Sequence, residues 1–189
     1  MSIEDNRYVI RRKVLTIFGQ KFHVYDGHGK LLGYSQQKAF KLKEDIRFYT
    51  DETMAEEKLL IMARQVIDFA AAYDVVNGET KEKIGACRRK GWKSIMRDSW
   101  EILDNEDQPI AKVQEDSMLM ATLRRFLSNW IPQHFQITNN AGALQADLRV
   151  RFNPFVYKME VEVDPEATVD RALLLAAGIL IAAIEGRQR

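Results

Sequence analysis

From Tyr8 onward the chain alternates short runs rich in Val, Ile, Phe and Tyr with clusters of Asp, Asn and Gly. Successive hairpins read this way, because β-branched and aromatic side chains suit a pleated surface while Asp, Asn and Gly supply tight reversals. The punctuation repeats. Tyr25-Asp26-Gly27-His28-Gly29 precedes Leu31-Leu32-Gly33, Val76-Asn77-Gly78 precedes Ile84-Gly85, Leu103-Asp104-Asn105 precedes Pro109-Ile110, and Ile137-Thr138-Asn139-Asn140-Ala141-Gly142 precedes Leu144. In each, Asp or Asn opens the turn, since its side chain bonds nearby backbone and tolerates left-handed geometry. Inside-outside alternation supports strands at Phe22-His23-Val24-Tyr25, at Ile46-Arg47-Phe48-Tyr49 and at Tyr157-Lys158-Met159-Glu160-Val161-Glu162-Val163. The runs between punctuation marks predict about twelve strands, centred near residues 13, 23, 36, 47, 61, 72, 86, 99, 112, 136, 147 and 159. The fifth sets propensity against context: residues 54–67 are rich in helix-forming Met, Glu, Lys, Leu and Ala, yet lie among hairpins, and context predicts a strand.

Two segments carry helical periodicity. Ser117 can cap the first, where Leu119, Leu123, Phe126, Leu127 and Trp130 recur at three- and four-residue spacings before Pro132. The second is predicted over about 165–185, with Asp164 as N-cap, Pro165 at the first helical position, Glu166 in the first turn and Gly186 as the stop. Over residues 172–184 it is apolar on every face, so it must be surrounded by protein. Those residues span ~20 Å as a helix against ~30 Å of hydrocarbon, too short to cross a bilayer comfortably. Burying Leu173, Leu174, Leu175, Ile179, Leu180, Ile181 and Ile184 is worth at most about 10–20 kcal/mol, comparable to a whole domain's stability. A closed sheet of about twelve strands has room for a helix ~10 Å wide, whereas eight strands hold only side chains. The reading is a mainly β fold: a closed antiparallel barrel around a buried apolar C-terminal helix. Gly178 fits where the wall presses on the helix backbone.

At 189 residues the chain suits one domain spanning residues 1–189, and 46% hydrophobic with 29% charged residues argues against global disorder. Its 28 basic and 27 acidic side chains nearly cancel, which disfavours nucleic acid as a partner and confines any anion site to a local patch. The single cysteine, Cys87, suits a reducing compartment. Residues 1–13 hold no apolar run of the kind a secretory signal needs. Together these point to a cytoplasmic protein, peripheral at membranes if it meets them.

One stretch stands out chemically. Arg88-Arg89-Lys90-Gly91-Trp92-Lys93-Ser94-Ile95-Met96-Arg97 holds five positive charges and no negative one, with Trp92 among them. Arg88, Arg89, Lys90, Lys93 and Arg97 can meet anionic headgroups while the Trp92 indole sits at the interface. Two plainer readings compete: a solvated strand pair with Trp92 and Ile95 turned inward, and a basic localisation or nucleic-acid segment. Arg11-Arg12-Lys13 and Arg124-Arg125 would extend the patch if the fold brought them together.

The other chemistry-bearing residues fall short of a site. His23, His28 and His134 show no metal-ligand spacing. Asp104-Asn105-Glu106-Asp107 with Glu115-Asp116 lacks the calcium-loop pattern and reads as a polar turn. Cys87 has no triad or redox partner and reads as a half-buried structural thiol. No nucleophile elbow, P-loop or dinucleotide fingerprint occurs, so no catalytic residue, metal or cofactor is assigned and the chain reads as a non-enzyme.

The order and spacing of three segments resemble the tubby C-terminal-like superfamily, in the branch holding the LURP-one-related proteins and the phospholipid scramblases. They are Phe22-His23-Val24-Tyr25-Asp26-Gly27-His28-Gly29, then Ile84-Gly85-Ala86-Cys87-Arg88-Arg89-Lys90 with Trp100-Glu101-Ile102-Leu103-Asp104, and finally Asp170-Arg171-Ala172-Leu173-Leu174-Leu175-Ala176. The resemblance implies a twelve-stranded barrel threaded by a central helix, and directs attention to phosphoinositide as a ligand and calcium-dependent lipid movement as an activity. The chain lacks the scramblases' proline-rich N-terminal segment and cysteine cluster, which argues against lipid translocation. The expectation is a tubby-like domain that binds anionic phospholipid or phosphoinositide at its basic patch. The alternative is a structural or protein-interaction module docking through the 117–131 helix or a sheet edge.

Overall fold

A computed structural model describes residues 5–13, 20–37, 45–64, 72–89, 99–115, 133–151 and 156–184. Twelve strands run in chain order: β1 (Arg7–Lys13), β2 (Gln20–Asp26), β3 (Leu31–Gln37), β4 (Ile46–Tyr49), β5 (Glu57–Ala63), β6 (Ala72–Asn77), β7 (Lys83–Arg89), β8 (Trp100–Leu103), β9 (Pro109–Glu115), β10 (His134–Asn139), β11 (Leu144–Arg151) and β12 (Val156–Val163). Each pairs antiparallel with its sequence neighbours, and β1 pairs with β12 from Arg7↔Glu162 to Lys13↔Val156, closing the barrel. Closure gives every strand a neighbour on both sides and so limits the open edge that is the main aggregation hazard of a sheet. The disputed fifth strand is a strand, so tertiary pairing overrides the helix propensity of its residues.

The helix α1 (Arg171–Ile184) runs through the interior. Leu173, Leu174, Leu175, Ile179, Leu180 and Ile181 are each no more than 1% exposed. Inward side chains from around the wall, including Ile10, Phe22, Val75, Ile102, Ile137, Leu148 and Val161, join them in one cluster. A Cβ on Gly178 would stand 3.0 Å from Ile10 Cδ1 and 3.2 Å from Val161 Cγ2, so the wall does close on the helix there.

The helix begins later than its start signals indicate. Asp164, Pro165 and Glu166 form a turn, in which Asp164 Oδ1 accepts from the Glu166 N–H at 2.8 Å and the Asp164 carbonyl from the Ala167 N–H at 3.0 Å. Asp170 is the cap: its Oδ1 accepts from the Ala172 N–H at 2.7 Å. Gln145 secures the intervening link, its Oε1 accepting from the backbone N–H groups of Thr168 at 2.7 Å and Val169 at 3.0 Å. The helix read over 117–131 and the stop at Gly186 lie outside the described residues.

Three of the four expected turns share one design. Asp26, Asp104 and Asn139 each accept through Oδ1 from the N–H groups two and four residues on. Each also accepts through its carbonyl from the residue three on, which is left-handed: Gly29 (φ 84°), Asp107 (φ 66°) and Gly142 (φ 83°). The Asn77 turn is one residue longer and puts Lys81 at φ 62°. A fifth turn, opened by Asp51 with Met54 at φ 57°, has no glycine to announce it. All five stand at one end of the barrel, together with residues 5–6 and the link into α1. The six other connections leave from the opposite end.

Candidate anion-binding surface

The basic stretch begins on β7, and strand alternation separates its first two members. Arg88 lies opposite Glu101 on β8 and on the outer face, with its Nη2 2.7 Å and its Nε 3.1 Å from Glu101 Oε2. Arg89 shares the inward side of Gly85 and Cys87 and lies opposite buried Trp100. Lys90, Trp92, Lys93 and Arg97 lie outside the described residues, as do Arg124 and Arg125. Arg11-Arg12-Lys13 does not extend the β7 wall, because β1 and β7 stand six strands apart in either direction around the barrel. Arg12 points inward, 4% exposed, with its guanidinium carbon 5.2 Å from the Tyr157 ring centroid.

The wall of β11, β12, β1 and β2 gathers charge that the linear sequence scatters. Arg151 lies opposite Lys158, Lys158 opposite Arg11, and Arg11 opposite His23, forming one outward row across four strands. Glu160 lies beneath it, its side chain only 8% exposed. Its Oε1 accepts from Lys158 Nζ at 2.9 Å and its Oε2 from Arg151 Nη2 at 3.0 Å, while Arg7 Nη2 stands 3.8 Å away. The hydrogen bond from Lys158, followed by that from Arg151, overcomes partial desolvation and draws the Glu160 carboxyl down to about 2. Arg11 forms no ion pair among the described residues; its guanidinium carbon lies 4.9 Å from the Tyr25 ring centroid.

The remaining candidates make contacts within the protein. His23 bonds Glu52 at 2.8 Å and packs against Tyr25 and Tyr34. His134 pairs with Asp147, which also accepts from Arg149 at 2.6 Å. His28 sits in the Asp26 turn. Two carboxylates of the acidic turn are engaged within the protein. Asp104 accepts from backbone N–H groups, and bonds from Arg64 and Lys83 hold the Asp107 carboxyl below its ordinary range. No cluster of three or more metal-capable side chains occurs among the described residues. Cys87 is fully buried, not half-buried as expected, and burial pushes its thiol up to about 12, away from nucleophilic chemistry.

No helix among the described residues is long and apolar enough to cross a membrane. Residues 6–182 match the family model described as LURP-one-related. No curated protein matches the chain.

Proposed function

The chain belongs to the LURP-one-related family, and from that premise we propose a non-enzymatic domain that binds anionic phospholipid, phosphoinositide included, through its basic 88–97 stretch. The carrying observation is five cations and a tryptophan within ten consecutive residues, with no acidic side chain among them. The filled barrel supports an outer site: α1 occupies the interior, where an enzyme of this shape would otherwise keep a pocket. Each cation near an anionic surface contributes about 1 kcal/mol. Arg88 contributes less, because leaving Glu101 offsets part of its gain. Binding therefore rests mainly on Lys90, Lys93 and Arg97, with the Trp92 indole at the headgroup level. The setting is cytoplasmic and peripheral to the membrane.

Sedimentation with neutral and anionic vesicles at low and moderate salt tests this, comparing the natural chain with Lys90→Ala/Lys93→Ala/Arg97→Ala. We expect salt-sensitive binding to anionic vesicles that the triple variant loses. Equal failure of both proteins to sediment would remove the proposal. It would favour the second reading, a structural or protein-interaction module, for which the closed Arg88–Glu101 pair speaks.

A further inference from the structure

The row on the opposite wall has a geometry of its own. Arg151, Lys158 and Arg11 project side by side from adjacent strands, and like charges placed directly across a sheet repel. The balance of charge does not relieve this at the surface, because the carboxylates lie low while the cations stand out. The Glu160 and Asp147 side chains are 8% and 13% exposed, against 56% for Arg151, 47% for Arg149, 51% for Arg7 and 34% for Lys158. Two exposed carboxylates flank this stretch, Glu162, 47% exposed, at the Arg7 end and Glu52, 65% exposed, on His23 at the far end of the row, and between them Arg151, Lys158 and Arg11 face outward. The outermost layer is therefore guanidinium and ammonium, although the chain as a whole carries only +1.

We infer that Arg151, Lys158 and Arg11 form a binding site for a compact ligand carrying two or more neighbouring phosphate groups. Spacing selects that chemistry. Adjacent strands set the cations ~4.8 Å apart, so three of them cover ~10 Å. An extended acidic peptide presents same-face carboxylates only every ~6.6 Å and falls out of step within two rungs. A single carboxylate or phosphate answers one rung. Clustered phosphates concentrate several charges within that length, and guanidinium groups match phosphate oxygens in forked pairs. Arg151 gives its Nε and Nη2 to Glu160, which leaves Nη1 to face a ligand. Arg11, stacked on Tyr25 and without a carboxylate among the described residues, is the cation with most to gain.

Titration calorimetry with inorganic triphosphate at low salt tests the site without any lipid, and the row variants tell it from the 88–97 stretch, whose cations also attract triphosphate. We expect saturable binding, weakened by about tenfold or more in Arg11→Gln/Lys158→Gln, and by raised salt. The charge-matched control Arg47→Gln/Lys112→Gln, on remote outer positions of β4 and β9, should stay within about twofold. Arg151→Gln alone should also weaken binding, which keeps the test decisive if the double variant misfolds. Absence of saturable binding, binding that the row variant leaves unchanged, or equal loss in the row variant and the control would overturn the site. Vesicles of neutral lipid doped with a bisphosphorylated inositol lipid separate the two sources of such phosphates. Sedimentation lost in the row variant and competed by triphosphate assigns a lipid headgroup, whereas triphosphate binding without sedimentation assigns a soluble ligand.

Discussion

Glu160 holds a single carboxylate under three cations, and its protonation should be felt in acid. Its pKa falls from the usual 4.5 to about 2 on folding, so the stability it contributes is fully present above 4.5. That contribution drains away as pH drops from there toward 2. We expect Glu160→Gln to cost on the order of 1–3 kcal/mol at neutral pH and to flatten the stability profile below pH 4.5, measured by urea unfolding across pH. An unchanged profile would mean the cluster is not held as described. Gln145 is a similar anchor within the link to α1. Gln145→Leu removes the acceptor for the Thr168 and Val169 N–H groups and should cost about 1–3 kcal/mol by the same assay. Cys87 should resist thiol reagents in the folded protein and react once denaturant is added. Rapid native labelling would contradict its burial.

At the level of elements, the five turns divide by what occupies the left-handed position. Glycine is free to adopt it at Gly29 and Gly142, whereas Met54 and Lys81 hold it against a steric penalty. Met54→Gly should therefore raise stability by about 1 kcal/mol, read as an increase in melting temperature, while Asp26→Ala should lower it by a similar amount, because Asp26 Oδ1 is the acceptor for the His28 and Lys30 N–H groups. The strands were legible because residues such as Phe22, Val24, Phe48, Met159 and Val161 alternate with polar neighbours, and a barrel with one solvated face preserves that alternation. The Asp51 turn was not legible, since a methionine in the left-handed position leaves no compositional mark. The start of α1 was misplaced because Asp164-Pro165-Glu166 carries every local helix-start signal, and only the pull of Gln145 on the following link shows that the chain turns first. Among the candidate site residues, Arg88 and Arg89 read as one patch in sequence but occupy opposite faces of β7. The row brings Arg11 beside Lys158 and Arg151 from the other end of the chain, and the β1–β12 register, not spacing, assembles it.

For the molecule as a whole, one placement organises the rest: an apolar helix belongs inside the barrel. The helix supplies the inner half of the core, and a chain ending at Asp164 would leave Ile10, Phe22, Ile137 and Leu148 facing a void. Such a chain should be insoluble or lack a cooperative melting transition. A smaller test of the same closeness is Gly178→Leu, which must force Ile10 and Val161 aside and should cost several kcal/mol, roughly the upper range for overpacking. The most direct measurement is hydrogen exchange on the intact protein, followed residue by residue along α1. We expect the amides of Leu174 through Ala183, enclosed by the wall, to exchange only when the whole barrel unfolds, with the same free energy as global denaturation. Exchange of those amides at rates typical of a surface helix, while the strands remain protected, would contradict the central position of the helix.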